Sequence, residues 1–126
     1  MRIDHVALWT RDLTILKGFY ETYFEARASD LYRNSRTQFQ SYFLTFADGA
    51  RLELMQAPDV GPAVTGRNLG YAHLALSVGS KEDVDHLTDR LQAAGYQVDS
   101  GPRTTGDGYY ESVVQDPDGN LIEITI

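Results

Sequence analysis

A constant offset relates five positions of this 126-residue chain: adding 68 to His5, Asp12, Leu16, Phe19 and Tyr23 gives His73, Ser80, Val84, Leu87 and Leu91. A register kept over five chemically matched positions requires the chain to build one supersecondary unit twice. Each copy opens on period-2 alternation. Over residues 3–9, His5, Ala7 and Trp9 fall on one face of a strand and Asp4, Val6 and Leu8 on the other. Residues 71–76, Tyr-Ala-His-Leu-Ala-Leu, repeat the pattern. Asp12 is then placed to cap a helix over 13–24, whose apolar stripe is Leu16, Phe19, Tyr20 and Tyr23. Ser80 with Asp83 approximates a capping box for a second helix, with Val84, Leu87, Leu91 and Ala94 as its stripe and Gly95 at its end.

The remainder of each copy reads as antiparallel strands. Residues 42–46 precede Asp48-Gly49, and residues 112–115 precede Asp116-Pro117-Asp118-Gly119. Each turn leads into an apolar strand carrying a glutamate, Leu52-Glu53-Leu54-Met55 and Ile122-Glu123-Ile124-Thr125. Here the offset is 70, and two residues gained in a loop account for the drift, because loops absorb insertions at small entropic cost. The expected fold is α+β, one domain of two tandem βαβββ modules forming a curved mixed sheet. Module one covers 1–57 and module two 71–126. A breaker-rich linker over 58–70, Pro-Asp-Val-Gly-Pro-Ala-Val-Thr-Gly-Arg-Asn-Leu-Gly, joins them and could form a lip over a site.

The repeat also duplicates a pair of polar residues, His5 with Glu53 and His73 with Glu123. Taken singly, a strand histidine is usually a hydrogen-bonded core or surface residue, and either glutamate would face solvent. Taken as a quartet, two carboxylates brought together without a cation would repel, and one would be driven to protonate. First and last strands lying side by side would aim each pair into one concavity, where a divalent metal would hold all four. Zero cysteines remove thiolate ligands and thiolate nucleophiles. A set of two imidazoles and two carboxylates suits Ni, Co, Zn, Mn or Fe with positions left for water or substrate, an arrangement of catalytic character. The net charge of -7, with eleven scattered Lys and Arg, argues against a nucleic-acid partner. No apolar signal run opens the chain and no stretch approaches the roughly 18 apolar residues of a membrane span, so a cytoplasmic location without membrane contact is expected.

From residues 3–7, Ile-Asp-His-Val-Ala, to residues 116–123, Asp-Pro-Asp-Gly-Asn-Leu-Ile-Glu, the chain resembles the vicinal oxygen chelate superfamily, the glyoxalase/bleomycin resistance/dioxygenase family. The resemblance implies paired βαβββ modules with a metal in the cup between them. Extradiol dioxygenases and fosfomycin-resistance enzymes share two histidines and one glutamate, whereas glyoxalase I, lactoylglutathione lyase, has the further glutamate that Glu53 matches. Similarity to single-domain bacterial glyoxalase I implies His5, Glu53, His73 and Glu123 as metal ligands and Glu123 as the catalytic base. The implied activity is a metal-dependent lyase or isomerase on an α-hydroxycarbonyl or hemithioacetal adduct, with proton transfer through an ene-diolate. Glyoxalase I typically has an arginine four residues after the first histidine and an asparagine four after the first glutamate, both touching glutathione. Trp9 and Ala57 stand there, so the metal pattern is kept and the glutathione pattern is not. In single-domain relatives two chains often complete the cup, which implies a homodimer whose sites draw His5 and Glu53 from one chain and His73 and Glu123 from the other. One chain closing on itself is the other arrangement.

Trp9 shares the face of His5 and is the expected wall of a small-molecule substrate pocket, with Tyr109 and Tyr110 as further substrate-binding candidates. Ordinary packed strand aromatics are the plainer reading of the two tyrosines. Arg36, Arg67 and Arg103 read as loop residues, and His86 as helix surface. Two other functions compete. An extradiol-type dioxygenase needs open positions for oxygen and substrate together, which a fourth protein ligand reduces. A non-catalytic small-molecule binding or resistance protein would use the cup without metal.

Overall fold

The computed structural model describes residues 1–64 and 66–126. The chain divides into two compact units, 1–62 and 63–126. The expected linker over 58–70 includes Thr65, which lies outside the described residues.

The first unit runs β1 (His5–Trp9), α1 (Leu13–Phe24), β2 (Arg27–Ala28), β3 (Tyr32–Arg33), β4 (Gln40–Thr45) and β5 (Arg51–Gln56). Its sheet is ordered β1-β5-β4-β2, with β3 also on β4; β1 lies parallel to β5 and the other pairs are antiparallel. Asp12 caps α1 as expected, its carboxylate accepting the Ile15 amide at 2.9 Å. Helical spacing then puts Leu13, Leu16, Phe19 and Tyr20 on one buried stripe, which packs on β4 and β5. The sheet answers with Leu44, Leu52 and Leu54, each at most 1% exposed. Burying each such leucine contributes roughly 1.5–3 kcal/mol, so this face carries the stability of the unit.

The second unit runs β6 (Leu74–Ser77), α2 (Lys81–Ala93), β7 (Val98–Thr104), β8 (Tyr110–Gln115) and β9 (Leu121–Thr125), in the order β6-β9-β8-β7 with β6 parallel to β9. Ser80 caps α2 by accepting the Asp83 amide, and its hydroxyl donates to the Asp83 carboxylate at 2.6 Å. At the other end Gly95 takes a left-handed φ of 90° while the Tyr96 amide bonds Leu91 carbonyl oxygen, a Schellman stop. Val84, Leu87, Thr88 and Leu91 pack toward Val114, Ile122 and Ile124, all buried.

Two differences from the expectation are physical. In the first unit the strand that follows the helix is divided into the two-residue β2 and β3, both paired with β4. In the second, β7 passes through Gly101 and Pro102, breakers that hide a strand from a periodicity reading. Proline is tolerated there because β7 is the edge strand and its pairing with β8 shifts register across Ser100 and Arg103. No helix among the described residues is long and apolar enough to cross a membrane.

Candidate functional site

Alternation turns one face of each sheet to its helix and the other away from it. In the first unit β1 and β5 pair with Ala7 opposite Glu53; in the second β6 and β9 pair with Ala75 opposite Glu123. Each histidine therefore stands two residues before the small alanine that faces the glutamate on the neighbouring strand. The same register gives the same result twice. His5 Nε2 lies 3.9 Å from Glu53 Oε2, and His73 Nε2 lies 3.5 Å from Glu123 Oε2. His73 itself immediately precedes β6, one residue outside the strand.

The pairs are half wet and half dry. The imidazoles are 41% and 44% exposed, whereas Glu53 and Glu123 are 15% and 18% exposed. Two donors bound to one ion at about 2.1 Å each sit roughly 3.0–3.5 Å apart at right or tetrahedral angles, a spacing that His73 and Glu123 meet at 3.5 Å and that His5 and Glu53 exceed at 3.9 Å. The nitrogen and carboxylate chemistry of each pair thus fits a divalent cation. Among the described residues no three His, Asp or Glu side chains form a group that could hold a metal, so the donors are presented as two pairs.

The two halves differ around these pairs. Asp4 Oδ2 lies 2.9 Å from His5 Nδ1 and also takes a guanidinium N–H of Arg51, which in turn stacks over Phe43 at 4.5 Å. Those two hydrogen bonds, from His5 first and Arg51 second, hold the Asp4 carboxyl below its usual range. A carboxylate only accepts, so Nδ1 carries the proton in this contact and Nε2 is the nitrogen turned toward Glu53. The Phe43 ring meets the imidazole edge to face at 5.3 Å and further fixes its plane. In the second unit Ala72 occupies the place of Asp4, and this brace is missing.

Beside Glu123 the second unit has something the first lacks. Glu111 on β8 stands on the same face, 8% exposed, with Arg103 Nη2 at 3.3 Å from its Oε1. Burial raises the Glu111 carboxyl above its ordinary value, the neighbouring Glu123 charge and a hydrogen bond with that residue add to the rise, and Arg103 opposes it. Arg103 is corrected from a loop residue to a strand residue of β7 that serves this carboxylate. Its place was hidden by Gly101-Pro102; the signal for Glu111 was a lone charge in an extended segment whose other residues are uncharged. Arg36 and Arg67 do lie outside the helices and strands, and His86 is exposed on α2.

Of the other candidates, Trp9 is 53% exposed at the end of β1, on the face of His5 and Glu53, with its ring edge to face on Phe39 at 6.2 Å. Tyr109 is 56% exposed in the turn before β8. Strand alternation turns Tyr110 to the helix side, where its hydroxyl donates to Asp85 of α2 at 2.7 Å and the Lys81 ammonium sits over its ring. It does not share the face of Glu123.

Comparison with known proteins gives the chain a family. A family model described as Glyoxalase/Bleomycin resistance protein/Dioxygenase superfamily matches residues 2–124. The chain is 30% identical to the uncharacterized protein YqjT of Bacillus subtilis over 97% of its own length and 96% of that protein's. A glyoxylase/bleomycin resistance protein/dioxygenase domain from Frankia superposes with a TM-score of 0.86 at 23% identity, over 100% of this chain and 97% of that one. Glyoxalase I from Zea mays superposes at 0.80 with 22% identity over 98% of this chain, which spans only 44% of the maize chain. At these identities the superpositions establish the fold. On its duplicated sheets and the family match across nearly its whole length, the chain belongs to the glyoxalase/bleomycin resistance protein/dioxygenase superfamily.

Proposed function

We propose that the protein is a metal-dependent lyase or isomerase of glyoxalase I type, acting on an α-hydroxycarbonyl or hemithioacetal adduct. The observation that carries this reading is the identical strand register that sets an imidazole and a carboxylate within 4 Å of each other in both units. His5 and Glu53 of one chain with His73 and Glu123 of a second copy would hold Ni, Co, Zn, Mn or Fe, giving a homodimer with two sites. A bound divalent ion would polarise the two adjacent oxygens of the adduct and acidify the carbon between them. The rest of the work falls to side chains. Glu123 takes the proton from one carbon and returns it to the next, a task suited to a carboxylate largely screened from water. Glu111, buried on the same face beside Glu123, limits the directions in which that carboxylate can turn. Asp4 keeps the lone pair of His5 directed inward. Trp9 in place of a charged partner leaves no bidentate grip for a peptide carboxylate, which supports an adduct other than that of glutathione.

The test has two stages. Purified protein is analysed for divalent metal, and the wild type and Glu123→Gln are then compared in proton transfer on metal-loaded protein with hemithioacetals of several thiols. Glu123→Gln is expected to abolish turnover while retaining the circular dichroism of the wild type; unchanged turnover refutes the base assignment. Protein that neither carries nor takes up metal favours the non-catalytic binder.

A further inference from the structure

The second unit has one carboxylate more than the proposed ligand set uses. The offset of 70 that relates the two glutamate strands carries Ser41 onto Glu111, so a small hydroxyl in the first unit is answered by an acid in the second. On β8 Val113 is the partner of Glu123, which puts Glu111 two residues along the same helix-distal face, a diagonal that long side chains span. Glu111 is also buried. A buried carboxylate beside a ligand is itself a natural donor to a divalent ion. Yet among the described residues Glu111 does not join His73 and Glu123 in a group that could hold one.

The cause lies on the neighbouring strand. Arg103 of β7 is the register partner of Glu111; its Nη2 lies 3.3 Å from Glu111 Oε1, and its Nη1 donates to Ser100 Oγ at 2.8 Å. In a regular strand, side chains three residues apart face opposite sides. Here the step from Ser100 to Arg103 is matched on β8 by the two-residue step from Val113 to Glu111, and the extra residue, taken up at Gly101-Pro102, brings both side chains to one face. The guanidinium is thereby anchored at Ser100 and draws one oxygen of Glu111 to itself. Two carboxylates with two neutral imidazoles balance the charge of one divalent ion. A third carboxylate would leave surplus negative charge and fill a position that the two oxygens of the adduct require. We infer that Arg103 is a positioning residue that withholds Glu111 from the ion, keeping the site open to substrate and favouring zinc over harder cations such as manganese. This rests on the chelating role proposed above and assigns the choice of metal to the bulge in β7.

The test reads metal binding and needs no turnover. Full-length wild type, Arg103→Met, Arg103→Lys, Ser100→Ala and the double variant Arg103→Met with Glu111→Gln are checked by circular dichroism and titrated at neutral pH with zinc and with manganese against a chelator. Waters on bound manganese are counted by proton relaxation. Arg103→Met should strengthen manganese relative to zinc about tenfold, as sites tuned by ligand charge do, and remove about one bound water. Arg103→Lys keeps the charge and should stay within about threefold of the wild-type ratio. Adding Glu111→Gln to Arg103→Met should restore both ratio and water count. Ser100→Ala, which removes the anchor and no charge, should shift the ratio the same way by a smaller factor, and it decides the matter if Arg103→Met does not fold. A ratio and water count unchanged in Arg103→Met, or in Ser100→Ala where that variant decides, overturn the inference while zinc binding by the wild type upholds chelation. A shift that Glu111→Gln leaves in place also overturns it, because Arg103 would then act on another group. Wild-type protein that binds neither metal defeats the chelating role and this inference with it.

Discussion

At the scale of single residues, the clearest asymmetry is between Asp4 and Ala72. One imidazole is held by a carboxylate, an arginine and an aromatic edge, and the other meets its glutamate without that brace. Removing such an outer partner typically lowers metal affinity 10- to 100-fold. Asp4→Asn is accordingly expected to weaken zinc binding about tenfold in a chelator competition, with little change in thermal stability because the residue is exposed. Glu111 gives a prediction in pH. Its folded-state carboxyl titrates above the ordinary value of 4.5, so the folded protein binds this proton more tightly than the unfolded chain does. Its destabilising contribution is thus absent below about 4.5 and grows as pH rises toward the raised folded value. In urea unfolding of metal-free protein, Glu111→Gln should gain on the wild type at pH 7 and lose that advantage at pH 4. An advantage independent of pH would show that the charge of Glu111 is not the cause.

At the scale of elements, α2 is fastened to β8 by more than apolar contact. The Thr88 hydroxyl donates to the Val84 carbonyl at 2.6 Å, which leaves its oxygen to accept from the Ser112 hydroxyl, also at 2.6 Å, both buried. Thr88→Val strands the Ser112 hydroxyl and should cost about 1–3 kcal/mol in chemical denaturation, while adding Ser112→Ala should recover much of that loss. This bond could not be read from the sequence, because Thr88 sits in an apolar helical stripe where a hydroxyl only lowers the hydropathy. What could be read had strong local causes. Asp12 and Ser80 marked both helix starts because each is a short acceptor just before an apolar stripe. Asp48-Gly49 and Asp118-Gly119 marked the hairpins because both glycines need the left-handed φ of 83° found there. The pairs His5 with Glu53 and His73 with Glu123 were legible through the repeat. The roles of Arg103 and Asp4 were not, since they depend on strand register across β7 and on a bond to the adjacent residue, neither of which leaves a periodic trace.

At the scale of the whole molecule, the proposed sharing of sites between two chains can be tested without a substrate. One variant combines His5→Ala with Glu53→Gln, and the other combines His73→Ala with Glu123→Gln; neither alone should hold zinc tightly. If each site takes one pair from each copy, unfolding and refolding the two together creates mixed dimers with one intact quartet. About a quarter of the wild-type zinc capacity should then return, since half the dimers are mixed and each has one whole site of two. A single chain closing on itself predicts no recovery in elemental analysis of the refolded mixture.

The alternation that positions the site has a final consequence, for how such a gene can change. Toward the helices the two copies still match in kind, with Leu44, Leu52 and Leu54 answered by Val114, Ile122 and Ile124. On the opposite side Trp9, Ser41, Arg51 and Met55 are answered by Ser77, Glu111, Leu121 and Thr125, while the imidazoles, the alanines and the glutamates remain paired. Every second codon of these strands serves folding, so after duplication the set between could be rewritten while the folding set stayed fixed.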